Sequence, residues 1–251
     1  MKKFFGSLSF AVFYPIFTIV YASAVIVVAP LLSLKNRWLM CMGWIAGIVQ
    51  ALKLLCRVRW TVQGREHLPS TGGFIIVAKH QSTWETFGIP VILFPRRICF
   101  VYKRELNFIP FFGWSMALLR MVPIDRSKGS LALEQVQKVG TDRLRAGACV
   151  IFFPEGTRVP PGQKKRYKLG GAHLAVASGF PVIPIAHNAG DCWPKGAFLK
   201  RPGTIDVRIG PALDPAGHTA ESLMNAAESW IESQMTQIDQ TARTDAATIP
   251  H

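Results

Sequence analysis

The sequence predicts an α/β fold, a sheet flanked by helices, preceded by an N-terminal apolar helical membrane anchor. Three observations carry this expectation. Short apolar runs of strand length recur from residue 57 onward, helix-length stretches separate several of them, and a long uncharged apolar segment precedes them all. A chain of 251 residues is long enough for one sizeable α/β domain with an appendage. The expected division is an anchor over 1–56, an α/β domain over 57–240 and a flexible tail over 241–251.

At the front, no residue from Phe4 to Leu34 is charged. About 20 helical residues cross the hydrocarbon core, so this segment is long enough to span. Lys2-Lys3, the apolar run and Ala22-Ser23-Ala24 imitate a secretory signal. The run continues through Val25 to Pro30, however, and that favours an uncleaved anchor. The next apolar segment, Trp38 to Leu52, reaches only about 22 Å at helical rise, short of a roughly 30 Å core. Lys35 and Arg37 separate the two segments, and Lys2, Lys3, Lys53, Arg57 and Arg59 flank them. A single crossing would put one basic cluster on the wrong side, and a double crossing would export Lys35 and Arg37. A hairpin dipping into the cytoplasmic leaflet breaks neither rule, with Pro15 and Pro30 as places to bend.

From residue 57 the pattern changes. Val58, Trp60 and Val62 alternate with polar positions, as a half-buried strand does. Further runs follow at 74–78 (FIIVA), 98–102 (ICFVY), 121–124 (MVPI), 149–153 (CVIFF), 181–185 (PVIPI) and 205–209 (IDVRI). Ser130 to Ala146 reads as a helix stopped by Gly147, and Gly170 to Ser178 as one stopped by Gly179. Thr219 to Ile238 places Leu223, Ala227, Trp230 and Met235 at helical spacing, suited to covering the core edge.

Charge narrows the function. Lys and Arg number 29 against 15 Asp and Glu, a net +14 with a pI near 10. Nucleic acid, an anionic membrane or an anionic substrate could each answer that balance. The first 60 residues carry seven basic side chains and no acid, flanking apolar segments, which is the membrane pattern. No nucleic-acid reading motif or basic-aromatic interleaving is present, so nucleic acid ranks low. The five cysteines show no CxxC pair and an odd count, against a disulfide framework or a zinc site and for a reducing compartment.

The chemistry gathers where apolar runs end. After FIIVA comes Lys79-His80-Gln81-Ser82-Thr83-Trp84-Glu85. In one continuous helix His80 and Glu85 would lie about 140° apart and could not touch. They meet only if His80 lies in the preceding loop and Glu85 in the first helical turn, with Ser82 or Thr83 as the cap. Two readings of Glu85 therefore stand together, a carboxylate on His80 and the back-bonding member of a capping box. After CFVY come Lys103-Arg104, after MVPI comes Asp125-Arg126-Ser127, and after CVIFF comes Pro154-Glu155-Gly156-Thr157-Arg158. Phe153-Pro154-Glu155-Gly156 also suits a plain type I turn. Arginine forks hold phosphate bidentately, so cations at three βα junctions beside a His/Glu pair point to an anionic substrate.

The blocks HQSTWE, PIDR, FPEGTR and VIPI, in this order and spacing, resemble the four blocks of the glycerolipid acyltransferases, over about residues 60–212. The similarity is to the bacterial branch that acylates lysophosphatidic acid, and the apolar front end also looks like that family's anchor. The family's first block usually ends in aspartate, and this chain has Glu85, one methylene longer. The resemblance implies a glycerolipid-acyltransferase-like sheet at the inner membrane, with the active site facing the cytoplasm. It implies an acyl thioester donor, acyl-CoA or acyl carrier protein, with no cofactor and no metal. His80 would be the base and Glu85 its partner. Lys103, Arg126 and Arg158 would hold the acceptor phosphate, Glu155, Gly156 and Thr157 would line the glycerol backbone, and amides near the helix start would face the oxyanion. Two alternatives remain. One is a related acyltransferase acting on another lysophospholipid, the other a non-catalytic membrane module that binds anionic lipid.

Overall fold

The structure, a computed structural model of the chain, describes residues 1–109, 112–125, 127 and 129–247. Two long helices come first, α1 (Lys2–Val28) and α2 (Leu34–Cys56), joined by a 3₁₀ turn at Ala29–Leu31. They run antiparallel. Cys56 Sγ lies 3.5 Å from Gly6 O at one end, Trp44 Nε1 donates to Thr18 Oγ1 at 3.2 Å midway, and Tyr21 OH donates to Met40 O at 2.8 Å toward the other end. Glycine permits this approach. A side chain at Gly6 would collide with the carbonyl of Leu55, and one at Gly47 would stand 2.7 Å from the Phe17 ring.

Two expectations about the hairpin change. Pro15 lies inside an unbroken α1, so the chain does not reverse there. The missing N–H forfeits one backbone hydrogen bond, while the stacked pairs Phe10–Tyr14 and Phe13–Phe17, with centroids 5.8 and 5.0 Å apart, bridge the turns around it. The reversal falls at Pro30 instead. The second segment is also longer than Trp38–Leu52. Its 23 residues reach about 34 Å, because Lys35, Arg37 and Lys53 continue the helix as readily as they would end it. Ser33 caps it, accepting from Asn36 N at 3.3 Å. Arg37 closes the turn, donating through Nε to Ala29 O at 2.7 Å and to Leu32 O at 3.0 Å.

Behind the hairpin follow β1 (Val58–Gln63), β2 (Ile75–Ala78), α3 (Glu85–Leu93), β3 (Ile98–Lys103), α4 (Phe112–Leu118), β4 (Val122–Ile124) and α5 (Gly129–Arg145). They are succeeded by β5 (Cys149–Phe152), α6 (Gly170–Ser178), β6 (Val182–His187), α7 (Ala189–Cys192), β7 (Gly203–Ile209) and α8 (Ala220–Ala247). Every apolar run becomes a strand, and the sheet order is β1-β7-β6-β2-β5-β3-β4. β6, β2, β5, β3 and β4 are mutually parallel, whereas β7 is antiparallel to β6 and carries β1 parallel to itself. β2 and β6 are buried along their whole length, as strands covered on both faces are.

Gly147 and Gly179, at φ of 75° and 73°, end α5 and α6 at the expected places. α8 buries Leu223, Ala227, Ile231, Met235 and Ile238. It runs on to Ala247, so the tail expected from 241 is helical as far as it is described, and residues 248–251 lie outside the described residues. Nothing between Thr241 and Ala247 breaks a helix. The parallel strands bring their C-terminal ends to one edge. Counting on from the pairs Val77↔Phe152 and Phe100↔Ile151 sets Lys79, Pro154 and Lys103 level across three neighbouring strands.

Candidate active site

His80 lies in the loop after β2, and Glu85 is the first residue of α3. His80 Nδ1 lies 2.8 Å from Glu85 Oε1. That same oxygen accepts from Gln81 N at 2.9 Å and from Ser82 N at 2.8 Å. Glu85 is therefore the histidine's partner and the back-bonding carboxylate of the helix start at once. Ser82 adds its own turn, accepting at Oγ from Trp84 N at 3.0 Å. A carboxylate only accepts, so the Nδ1 of a neutral His80 carries the proton and Nε2 presents its lone pair. The His80 side chain is 18 % exposed while that of Glu85 is fully buried, which is the arrangement a supported base needs.

The amides of Gln81, Ser82 and Trp84 are spent on these side-chain acceptors. The expectation that amides at this helix start face the oxyanion fails for those three. Their first duty is to hold Glu85 and the turn.

The turn after β5 closes as its sequence predicts, with Gly156 N donating to Phe153 O at 3.0 Å and Gly156 at φ 70°. It belongs to the site as well. The Phe153 ring stacks on the His80 ring at 4.3 Å, and Val159 N donates to His80 O at 2.7 Å. Arg158 Nη1 donates to Thr83 Oγ1 at 2.6 Å, which brings the guanidinium to the first block. Thr157 Oγ1 accepts from Lys195 Nζ at 3.3 Å, and the Lys195 loop is pinned by a bridge between Ser82 and Pro194. The sequence marks Phe153 only as a turn residue. Thr83 lies inside the first block and was read only as a possible cap, whereas nothing marks Lys195.

Glu155 departs from expectation. Its side chain is 0 % exposed and its Oε1 lies 3.1 Å from Lys79 Nζ, so it points into the protein and offers no carboxylate to a glycerol group. Burial raises its pKa to about 7, against the pull of Lys79. Lys103 ends β3 on the shared edge with its side chain exposed. Beside it Arg104 Nη1 stands 3.6 Å from Asp125 Oδ2. Arg126 lies outside the described residues. His187, the other histidine nearby, is a core residue. Its Nε2 meets Lys79 O at 2.9 Å, and burial lowers its pKa.

An apolar cavity of about 280 Å³ opens between α1, α2 and α4, lined by Ile19, Val25, Trp44, Phe112, Met116 and Leu119. Trp44 meets the Phe87 ring of α3 edge-on at 5.4 Å, two residues beyond Glu85.

The acyltransferase family model matches residues 59–188. Over 215 residues the chain is 43 % identical to a 1-acyl-sn-glycerol-3-phosphate acyltransferase of Pseudomonas aeruginosa, across 84 % of this chain and 82 % of that protein. It is 29 % identical over 213 residues to the alpha form of the same enzyme from Mus musculus, across 84 % and 74 % of the two chains. Among solved structures, the 1-acyl-sn-glycerophosphate acyltransferase of Thermotoga maritima superposes with a TM-score of 0.78, covering 95 % of this chain and 98 % of that one. At 24 % identity this is a likeness of fold.

Proposed function

The chain belongs to the acyltransferase family, and we propose that it transfers an acyl group from an acyl thioester to the sn-2 hydroxyl of lysophosphatidic acid, making phosphatidic acid. The observation that carries this reading is the His80 Nδ1–Glu85 Oε1 contact of 2.8 Å beside an arginine bound to the same loop. A secondary alcohol is a poor nucleophile at neutral pH and needs a base. His80 Nε2 takes the hydroxyl proton as the oxygen attacks the thioester carbonyl, and Glu85 stabilises the imidazolium through Nδ1–H. When the tetrahedral intermediate collapses, the C–S bond breaks and the imidazolium returns its proton to the departing thiolate. Arg158 binds the acceptor phosphate, with Lys103 and Arg126 as its proposed partners. The apolar cavity at the hairpin suits an acyl chain. Acyl-CoA and acyl carrier protein are both proposed donors.

The same reading places the enzyme on the cytoplasmic leaflet of a bacterial inner membrane with the hairpin dipped into it. Both helices are long and apolar enough to cross a membrane. The catalytic domain, however, grips the hairpin at its two ends. Lys200 N donates to Ser7 Oγ at 2.9 Å near the start of α1, and Arg37 Nη1 donates to Leu118 O at 3.3 Å beyond its end. A hairpin held to the domain at both ends lies against it and does not stand away from it. Apolar exposure continues onto that domain at Phe108 and Phe198, which are 83 % and 45 % exposed.

The deciding assay uses purified full-length protein with lysophosphatidic acid and both donors, and repeats it with a head-group-esterified lysophospholipid. Phosphatidic acid should form with at least one donor and the esterified acceptor should react far more slowly. Equal rates on the two acceptors, or none on lysophosphatidic acid, would overturn the proposal.

A further inference from the structure

Lys79 is 1 % exposed, yet it immediately precedes the histidine of the site. Its Nζ lies 2.7 Å from Glu232 Oε1 of α8 and 3.1 Å from Glu155 Oε1. Tyr167 OH donates to the same Glu232 oxygen at 3.0 Å, and its ring centroid is 5.9 Å from Lys79 Nζ. Lys164 Nζ stands 3.7 Å from Glu232 Oε2. A crevice of about 50 Å³ lined by Lys79, Gln81, Lys164, Glu232 and Asp239 opens onto this cluster. We infer that Lys79 and Glu232 are positioning residues, joined to Glu155 in a buried ion cluster that holds the exits of β2 and β5 in register beneath His80.

Removing a lysine and two carboxylates from water is costly, and apolar side chains of similar volume would stabilise this contact as well or better. Stability alone does not call for charge here. Geometry does. The backbone at Lys79 is fixed on the β6 side, with Lys79 N donating to Ile185 O at 3.0 Å and Lys79 O meeting His187 Nε2 at 2.9 Å. The ion cluster fixes it on the β5 side, through Glu155. Two residues before Glu155 lies Phe153, the ring on which His80 stacks, and three residues after it lies Arg158. A slip between the two strand exits would thus move the base against its supporting ring, while Arg158 stays tied to the loop of His80 by its own bond to Thr83. Glu232 locks the two exits from a helix 153 positions away in the chain.

The inference rests on the reading of His80 as the base, and the test separates the two. Glu232→Ala, Glu232→Gln, His80→Ala and the double variants are assayed as full-length protein in lipid nanodiscs, with melting temperatures measured alongside. A misplacement of about 1 Å caused by a distant change can cost about 10²-fold. Glu232→Ala should therefore lower kcat ~10- to 100-fold, with KM for either substrate within about threefold. Glu232→Gln, which keeps the shape and an acceptor for Tyr167, should fall between it and the parent. On top of His80→Ala neither change should cost anything more, because a positioning effect acts through the base. An equal further loss in that background would reduce Glu232 to fold stability and overturn the inference. So would a parent-like kcat in a folded Glu232→Ala. If that variant does not fold, Glu232→Gln carries the same cycle. Near-parent activity in His80→Ala would sink the base assignment, and the inference with it.

Discussion

One oxygen of Glu85 receives the amides of Gln81 and Ser82 and the imidazole of His80. The two uses that its position in the sequence suggested are one structure, since the amides hold the carboxylate where the histidine can reach it. His80→Ala should lower turnover by roughly 10² to 10⁴-fold while the chain stays folded. Glu85→Gln keeps an acceptor for the amides but loses the charge that supports the imidazolium, so it should cost far more activity than Ser82→Ala. The reverse order in a turnover assay would return Glu85 to capping alone. Arg158 is separable from the base. Arg158→Ala should raise KM for lysophosphatidic acid about 10- to 150-fold, the worth of a charge-assisted hydrogen bond, and leave the donor KM unchanged. Arg158→Lys should recover part of the loss, keeping the charge without the fork. A donor KM that rises equally would move this arginine to the donor site. His80, Glu85 and Arg158 were legible because each sits in a short block whose local spacing already limits its geometry. Lys79 and Glu232 were not, because their meeting depends on how α8 folds back over the sheet.

At the scale of elements, the strands were legible because β-branched and aromatic runs end in turn residues that the sheet then respects. Two helices were missed for physical reasons. α4 reads FGWSMAL, with no polar face to give a helical period, and α7 spans only four residues. Pro15 sits within α1 between two stacked ring pairs, and the chain reverses at Pro30. α8 was legible as a covering helix, but its ionic contact with the β5 turn was not. That contact predicts a pH dependence. Glu155 has a carboxyl pKa raised to about 7 from an ordinary 4.5, through burial, and it is faced by Lys79, Glu232 and, through Glu232, Tyr167 and Lys164. A group that binds its proton more tightly folded than unfolded favours the folded state at low pH. Its contribution is full below about 4.5 and is lost as pH rises through about 7. The melting temperature of the parent should therefore fall across that window more than that of Glu155→Gln, which cannot titrate. Parallel curves for the two proteins would show that Glu155 does not protonate in the fold.

For the whole molecule, the sequence left the topology of the apolar front end to an argument from charge, and packing now adds a mechanical one. Arg37, counted there among the basic flanks, is not held out to lipid head groups. Its guanidinium binds Ala29 O, Leu32 O and Leu118 O, tying the hairpin turn to itself and to α4. At the opposite end Phe10 meets Trp193 edge-on at 5.4 Å, and Lys200 Nζ stands 5.0 Å from the Trp193 ring. For α1 and α2 to cross a bilayer, the turn would have to part from α4, whose neighbouring strand carries Lys103 toward the site. A hairpin that only dips keeps its turn on the side of the catalytic domain. Asn36 reports the difference, being exposed in the first turn of α2. In a chain with Cys41 replaced by alanine the remaining native cysteines are buried, so Asn36→Cys supplies the accessible thiol. A membrane-impermeant maleimide should label it in inside-out vesicles and leave it unlabelled in intact spheroplasts. Labelling from the outer face would mean that the hairpin spans the membrane, that the contacts of Arg37 and Lys200 do not hold together in the bilayer, and that the one-leaflet arrangement is wrong.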